Sequence, residues 1–362
     1  MMYNVTRHLD GANFRAVVAT LSPEPADSLI GEFLRLGVQV KQTGLSRAAS
    51  IVYGVNALRR LAEEIQPALI QCHGIRADVL ASLSRLQCPI VSTLHSDLFE
   101  DYRSAYGRWT GSLAAACEYA AIRRFDGVIA VSQPLAEIAS RHGIRAKDIP
   151  NGIESDRFYP APDRKCVSQL RARFGWPADA VVVLHTGVLR ELKNPKAVLQ
   201  GFRASAVSRQ GFLAFAGDGP LRAECENEAS GESNIVFLGN RNDVPDLLRA
   251  SDILISASGS EGLENALIEA CMSGLRILAS DIPAHRYIQS KFPDQVKIFA
   301  GSDSDSVKVG LDGVPADELR ARFQPPQSAL EMFTARAMSK AYQKFYSGIL
   351  RQSGSWSESR GN

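Results

Sequence analysis

Short apolar runs alternate with amphipathic segments of helical spacing along most of the chain. In the first half, the apolar runs are FRAVVATLS, ALIQCHG, PIVSTLHS and DGVIAVS. This alternation is typical of βαβ units, in which helices cover both faces of a parallel sheet. A segment rich in Pro, Gly and Asp, DIPNGIESDRFYPAPD, interrupts the pattern, which restarts at AVVVLHTGV. The pattern therefore predicts an α/β protein with two doubly wound, Rossmann-like domains.

The interruption sets the expected domain limits. We expect an N-terminal domain over residues 1–153, a C-terminal domain over 154–327, a helix over 328–350 that packs back toward the first domain, and a disordered tail over 351–362. The strands of the second half lead into polar loops at their carboxyl ends, where open α/β sheets bind ligands. Because clefts between facing domains are favoured ligand sites, the sequence predicts a cleft enzyme.

Composition excludes several classes of protein. The 362 residues are 45% apolar and 22% charged, which is ordinary for two globular domains. The 41 basic and 39 acidic residues are spread along the chain, so no nucleic-acid partner is indicated. Six widely spaced cysteines without a C-x-x-C motif indicate reduced thiols. With no apolar run of about 20 residues and no signal-peptide core, we expect a cytoplasmic protein, with contact to a membrane surface left open.

The segment EGLENALIEA places three carboxylates at the start of a predicted helix. A carboxylate near a protein interior is costly unless it is hydrogen-bonded or does chemistry. Glu261 and Glu264 alternatively only complement the positive end of the helix dipole. Glu269 lies among apolar helix residues and needs a polar partner. The free N–H groups of a helix start also suit a phosphate or sugar hydroxyls.

Lys193 lies in GVLRELKNPK, which follows the apolar run AVVVLHTG. At a strand-to-helix junction, its ammonium can neutralise a diphosphate. The competing interpretation is a solvated first turn, because Arg190, Glu191, Lys193 and Lys196 alternate in sign. Mixed charges usually mark an exposed face, so this segment alone favours the solvated interpretation.

Two more features lie at predicted strand ends. His73 and His95 each end a strand of the first domain, where a catalytic and a structural role are about equally favoured. The turn GDGP at residues 217–220 is expected to be structural, since Gly permits unusual backbone angles and Pro starts the next helix.

Several segments form an ordered set: IPNGIESDRFYP, GVLRELKN, FAGDGPLRAECE, NIVFLGNRNDVPDLLRASDILISAS and EGLENALIEACMSGLRILASD. Together they resemble the group 1 retaining glycosyltransferases, glycosyltransferase family 4, which have the two-domain GT-B fold. The last segment contains the E-x7-E element of that family. The resemblance runs from about residue 70 to residue 350 and rests on the order of the set more than on any one segment.

The resemblance implies metal-independent transfer of a sugar from a nucleotide-sugar donor to an acceptor, with retained anomeric configuration. It implies that Glu261 binds hydroxyls of the donor sugar, that Glu269 binds the nucleotide ribose, and that Lys193 binds phosphate. It places the diphosphate at the helix start around Gly262 and Leu263. The other residues implied at the donor are Gly187 and Arg190 in the phosphate loop, Arg241, Asn242 and Val244 in the base-binding loop, and His95 near the sugar.

The chain departs from the family pattern in three places. Val188 stands where the family usually has Arg, and Arg190 is the residue expected to reach the same phosphate. Arg276 replaces a usual Pro, which should alter a turn. The family also begins with a strand and a glycine-rich loop, whereas MMYNVTRHLDG already resembles the first helix. From a typical strand and loop, about 15–20 residues are expected before it, so we expect either a start further upstream or a first domain with a weakened edge.

One short motif is not absorbed by the resemblance. Asp303 and Asp305 form a D-x-D pair, which binds metal-held diphosphate in another class of sugar transferases. Two Asp residues in a Ser-rich loop also arise by chance, and no third ligand accompanies them, so no metal site is expected.

The sequence therefore predicts a transferase that moves a sugar from a UDP- or GDP-sugar to a glycan or lipid-linked acceptor, in the synthesis of cell-surface polysaccharide or lipopolysaccharide. Its expected location is the cytoplasm, including the inner face of the plasma membrane. Two alternatives remain open: a nucleotide-sugar epimerase of related fold, and a catalytically impaired glycosyltransferase subunit that needs a partner chain.

Overall fold

The computed structural model describes residues 1–25 and 28–354 of the chain. These residues divide into two compact units. The first unit comprises Met1–Gly152 and the segment that begins at Ala335, and the second comprises Ile153–Thr334.

The described part of the first unit contains six short parallel strands. They are β1 Val17–Thr20, β2 Gln39–Gln42, β3 Ile70–His73, β4 Ile90–Leu94, β5 Gly127–Ala130 and β6 Ala146–Asp148. β1 pairs with β2, and the other four form a sheet in the order β3-β4-β5-β6. β4 is buried along its whole length, as expected for a strand covered on both faces.

Eight helices accompany these strands in the described residues of the first unit. They are α1 Met2–Arg7, α2 Ile30–Arg35, α3 Arg47–Ile65, α4 Ile75–Ser84, α5 Leu98–Tyr106, α6 Arg108–Ile122, α7 Gln133–Arg141 and α16 Ala335–Gln352. Three of them begin at polar residues whose side chains accept backbone N–H groups: Ser46, Asp97 and Ser132. Tyr342 of α16 packs into the hydrophobic core of the first unit with Val91 and Ile129. Ser339 Oγ of the same helix donates a hydrogen bond to the Val5 carbonyl.

The second unit contains one parallel sheet of six strands in the order β12-β11-β10-β7-β8-β9. The strands are β7 Val181–Thr186, β8 Gly211–Ala216, β9 Ile235–Phe237, β10 Ile253–Ser256, β11 Arg276–Ser280 and β12 Val296–Phe299. The chain reverses its direction of travel across the sheet between β7 and β10. In open α/β sheets, ligands bind outside the carboxyl ends of the strands at such a reversal.

Helices flank this second sheet. They are α8 Arg164–Phe174, α9 Pro195–Ala204, α10 Arg222–Glu228, α11 Val244–Ala250, α12 Asn265–Met272, α13 Pro283–Lys291, α14 Ser304–Asp312 and α15 Gln327–Met332. Three of them, α9, α11 and α13, carry Pro in their first turn, where its missing N–H costs nothing. The core is aliphatic and aromatic, with Phe202 and Phe215 fully buried.

The predicted α/β fold is confirmed, with two local differences. The expected helix over 328–350 is two helices, α15 and α16, because Thr334 between them forms a β-bridge with Ile153. The expected disordered tail over 351–362 begins with two residues of α16, and residues 355–362 lie outside the described part of the chain.

Candidate active site

The predicted donor-site residues of the second unit lie at the carboxyl ends of β7 and β10. Lys193 ends a single 3₁₀ turn, Glu191–Lys193, that follows β7. Glu261 lies in the loop after β10, and Glu264 is the residue that precedes the first turn of α12. The backbone N–H of Gly259 donates to the Leu192 carbonyl at 2.8 Å, which ties the two loops together.

Lys193 joins the two carboxylates. Its Nζ lies 2.6 Å from Glu261 Oε1 and 2.7 Å from Glu264 Oε1. Only 14% of the Lys193 side chain is exposed. The solvated interpretation of Lys193 is therefore wrong, because the side chain is largely buried and contacts two carboxylates that are distant from it in sequence. For the same reason, the helix dipole alone does not account for Glu261 and Glu264.

Glu264 is the centre of this cluster. Its side chain is 2% exposed, and its other oxygen, Oε2, accepts a hydrogen bond from Ser256 Oγ at 2.8 Å. The same oxygen lies 2.7 Å from Nε2 of the fully buried His285. His285 Nδ1 faces the Ser280 carbonyl at 2.9 Å. His285 therefore contacts oxygen atoms through both of its ring nitrogens.

The cluster keeps its charges in a buried environment. Burial opposes the ionisation of Glu264, but Lys193 and His285 outweigh it and hold its pKa well below the usual range. Burial also opposes the charge on Lys193, and the two carboxylates raise its pKa above the usual value. The pKa of Glu261 is raised, first by burial and then by the negative charge of Glu264. Glu261 is therefore the carboxylate of the pair that accepts a proton more readily.

Glu269 lies further along α12, on the second turn of the helix. Burial raises the pKa of its carboxyl group to about 7, and the charge of Arg157 opposes the shift. A carboxyl group with this pKa is partly ionised at neutral pH and gains from any hydroxyl that donates a hydrogen bond to it.

The loops that contain Gly187, Gly217 and Gly239 contact one another, and the Gly187 loop also contacts Lys193. A Cβ placed on Gly217, where φ is 146°, would lie 1.9 Å from the Gly187 carbonyl oxygen. Gly217 also donates its N–H to the Gly239 carbonyl at 2.8 Å. The Lys193 Cε atom lies 3.7 Å from the position that a Cβ on Gly187 would occupy. The GDGP turn therefore packs against the loop that contains Gly187, as a structural role predicts.

The remaining residues predicted at the donor lie in the same unit, and their roles stay predictions. Arg241 forms an ion pair with Asp243 and lies over the Phe174 ring. Asn242 is exposed and Val244 begins α11, while Arg190 is the residue that precedes the 3₁₀ turn. Helix α12 begins at Asn265, so Gly262 and Leu263 lie in the loop before the helix and not on its first turn.

In the first unit, His73 and His95 meet at the carboxyl ends of β3 and β4. His73 Nδ1 lies 3.0 Å from His95 Nε2. Burial, followed by the neighbouring His95, lowers the pKa of His73 to about 3. Part of His95 is exposed, and the burial of the remainder, followed by the positive charge of the amino terminus, lowers its pKa to about 4. The pair is therefore neutral at physiological pH.

Asp303 has a structural role. Its side chain accepts a hydrogen bond from the Ser306 N–H at 2.8 Å and so caps the start of α14. Within residues 1–25 and 28–354, no group of three or more His, Cys, Asp or Glu side chains is arranged to hold a metal ion.

Sequence reasoning missed the partners of Glu264. It treated Glu264 as a helix-dipole residue and did not single out His285, Ser256 or the fully buried His185, whose ring faces the Ile255 carbonyl. His285 follows shortly after the apolar run LRILAS. A histidine just beyond a strand end was the available signal, as it was for His73 and His95.

Solved structures identify the class of fold. HepE from Anabaena, in complex with UDP-glucose, is similar to this chain with a TM-score of 0.80, over 96% of this chain and 94% of HepE, at 18% identity. Sucrose-phosphate synthase from Thermosynechococcus elongatus gives a TM-score of 0.79 over 96% of this chain and 92% of its own, at 19% identity. The fold is therefore that of the GT-B glycosyltransferases, as predicted.

Family models cover most of the chain. Residues 1–157 match Glycosyltransferase Family 4, and residues 180–306 match Glycosyl transferases group 1. The chain belongs to the group 1 glycosyltransferases.

Among the curated relatives, the UDP-Gal:alpha-D-GlcNAc-diphosphoundecaprenol alpha-1,3-galactosyltransferase of Escherichia coli is 25% identical over 58% of this chain and 55% of its own length. The O-antigen biosynthesis glycosyltransferase WclY of Escherichia coli is 22% identical over 87% of this chain and 86% of its own. Three curated relatives are matched over only 35%, 55% and 52% of their length.

Proposed function

We propose that this chain transfers a sugar from a UDP- or GDP-sugar to a glycan or lipid-linked acceptor, with retention of the anomeric configuration, in the synthesis of cell-surface polysaccharide or lipopolysaccharide. The observation that carries the proposal is the buried Lys193, held by Glu261 and Glu264 at the carboxyl edge of the second sheet. Glu269 lies on the helix that follows them.

The cluster suits a leaving diphosphate. An ammonium carries three N–H donors. In the described residues, Lys193 contacts two carboxylates, which leaves a donor for a phosphate oxygen. Because the two carboxylates and the surrounding protein fix the ammonium in advance, it can stabilise charge that develops on the phosphate without reorganising. This electrostatic role needs no divalent ion, so we propose metal-independent transfer.

The carboxylates have separate proposed roles. Glu261 is the acceptor of donor-sugar hydroxyls, and Glu269 is the acceptor of ribose hydroxyls. Glu264 holds Lys193 in place and contacts no substrate, because its two oxygens are already bound to Lys193, Ser256 and His285. His95 and the base-loop residues Arg241, Asn242 and Val244 keep the roles that the family resemblance implies.

The relatives support the class of substrate. The name of the galactosyltransferase relative gives a UDP-sugar donor and a diphosphoundecaprenol acceptor, which is a lipid-linked sugar. WclY is named for O-antigen biosynthesis. No helix in the described part of the chain is long and apolar enough to cross a membrane. A lipid-linked acceptor would require peripheral contact with the membrane, and we place the protein at the inner face of the plasma membrane.

The proposal is tested first by ligand-induced thermal stabilisation, because a ligand that binds only the native state raises the melting temperature. UDP-sugars and GDP-sugars are screened with the parent chain and with Glu269→Ala. We expect one nucleotide series to stabilise the parent and the effect to shrink in the variant, since losing a hydrogen bond to a charged group costs about 1.5–3 kcal/mol. An equal shift in both proteins contradicts the ribose assignment.

The reaction type is tested with the donor that passes this screen. Incubation with a lipid-linked acceptor pool should release free nucleoside diphosphate, UDP or GDP, and give a product with the anomeric configuration of the donor. Conversion of the donor to an isomeric nucleotide sugar, with no diphosphate released, would show an epimerase instead.

A further inference from the structure

Helix α6 of the first unit turns an apolar face toward solvent. Trp109 is 84% exposed and Leu113, one turn further on, is 67% exposed. Three further exposed residues continue this face at helical spacing: Ala116, Cys117 and Ala120. A contiguous exposed apolar helix face marks an interaction site, because isolated exposed apolar residues need no explanation but a row of them does.

The fold holds this face outward. Helices α5 and α6 approach so closely that a Cβ on Gly111 would lie 2.2 Å from the Tyr102 carbonyl oxygen. The Tyr102 hydroxyl donates to the buried Glu118, and Arg103 Nε donates to Ser112 Oγ at 2.8 Å. Because these contacts fix the opposite side of α6, the helix cannot rotate to bury Trp109 and Leu113 without breaking them.

Arginines flank the apolar face. Arg103 and Arg108 lie at one end of α6 and Arg123 and Arg124 at the other, and all four are exposed. The one acidic residue of α6, Glu118, is buried. The other carboxylates of the helix pair are in the first turn of α5. An apolar face bordered by basic side chains is the pattern of a helix that lies in the headgroup region of an anionic membrane.

This charge pattern argues against a second copy of the chain as the occupant. In a two-fold pair of α6 helices, an antiparallel arrangement places Arg108 opposite the partner copy's basic end, and a parallel arrangement places like ends together. Either arrangement brings arginines together, and like charges across an interface cost affinity. Anionic lipid headgroups instead pair with both ends.

We propose that the exposed face of α6 docks this protein on the surface of an anionic phospholipid membrane, with Trp109 and Leu113 inserted between the headgroups. The inference rests on the proposed function only for the use of the docking, which would bring the first unit to a lipid-linked acceptor. The docking surface itself follows from exposure and charge.

The test is co-sedimentation of the full chain with vesicles of phosphatidylcholine that contain about 30% phosphatidylglycerol. The parent should bind, and Trp109→Asp with Leu113→Asp should lower the partition coefficient more than about tenfold, because two inserted apolar side chains become charged. Replacement of Arg108 and Arg124 by Gln should lower it about fivefold per arginine. Vesicles without phosphatidylglycerol should bind the parent weakly.

Val309→Asp is the matched control, since Val309 lies on α14 of the second unit and is 65% exposed. Circular dichroism confirms folding, and nucleotide-induced stabilisation of the double variant should equal that of the parent, which separates this inference from the proposed function. Failure of the parent to bind the vesicles overturns the proposal, as does equal binding by the double variant. A parent dimer that the double variant abolishes would assign the face to a second copy instead.

Discussion

Replacing Lys193 by Met should strongly destabilise the second unit. The substitution keeps most of the side-chain volume and removes the ammonium that lies 2.6 Å from Glu261 and 2.7 Å from Glu264. Removing one partner of a buried ion pair leaves an uncompensated charge and typically costs about 3–5 kcal/mol. We expect a loss in this range at neutral pH, which is a large part of the stability of an ordinary domain.

Lys196 provides a matched control three residues away. Its Nζ lies 2.6 Å from Glu224 Oε1, but that carboxylate side chain is 60% exposed. Ion pairs at the surface contribute about 0–1 kcal/mol. Lys196→Met should therefore destabilise the protein far less than Lys193→Met, although the Lys196–Glu224 ion pair is as short as the Lys193–Glu261 ion pair.

The effect of Lys193→Met should depend on pH. In the parent, the pKa of Glu264 is lowered by folding, so its contribution to stability is present above the unfolded pKa of about 4.3 and is lost as the pH falls. Without Lys193, burial acts with less opposition, and a raised pKa instead costs stability as the pH rises above that value. The difference between parent and variant should therefore widen from about pH 4 to pH 7.

Tryptophan fluorescence isolates the unit that contains the site. Trp176 is buried and packs against Phe174 and Phe212 in the second unit. The other two tryptophans of the chain, Trp109 and Trp356, are replaced by Phe in all proteins compared. Urea unfolding is then followed through Trp176 alone. Equal and small losses for Lys193→Met and Lys196→Met, or a difference that does not change with pH, would refute the buried cluster as the source of the stability.

Three other predictions follow from the same structure. The affinity for UDP or GDP, measured by titration calorimetry, should be about tenfold weaker at pH 6 than at pH 8, because nucleotide binding favours the ionised form of Glu269, whose pKa is about 7. Glu269→Gln should remove this pH dependence, and a parent with a flat profile would exclude the ribose role. Transfer should survive EDTA, and Asp303→Asn with Asp305→Asn should leave turnover unchanged; activity lost to the chelator and restored by manganese would point to a metal mechanism. Gly217→Ala should cost more than about 2 kcal/mol, because its Cβ would lie 1.9 Å from a facing carbonyl oxygen at a φ of 146°, and a thermal midpoint equal to that of the parent would show that the turn adapts.

The fold was predictable where the signal is local. Runs such as VVVLHT and GFLAFA are buried along nearly their whole length in β7 and β8, so a continuous apolar run was sufficient to identify them. The strands that escaped prediction are β2, with the sequence QVKQ, and β6, with AKD. Five of their seven residues are polar and none is buried, because these strands are short and pair at the margins of their sheets.

The site was predictable only in part, because burial depends on residues distant in sequence. Alternating charges around Lys193 indicate an exposed turn when they are considered alone. Its partner Glu264 lies 71 residues away in the sequence, and His285 lies 21 residues beyond Glu264. Neither distance leaves a periodic signal. The E-x7-E spacing singled out Glu261 and Glu269, whereas Glu264 between them contacts Lys193 together with Glu261 and is also bound to Ser256 and His285.

The most direct test of the central claim is a crystal structure of this chain with the nucleotide, UDP or GDP, that stabilises it. We expect a diphosphate oxygen at hydrogen-bond distance, about 3 Å, from Lys193 Nζ. We also expect the ribose hydroxyls to donate to the Glu269 carboxylate, with Glu264 still bound to Lys193 and His285. A nucleotide bound elsewhere, with no contact to Lys193 or Glu269, would contradict the central claim.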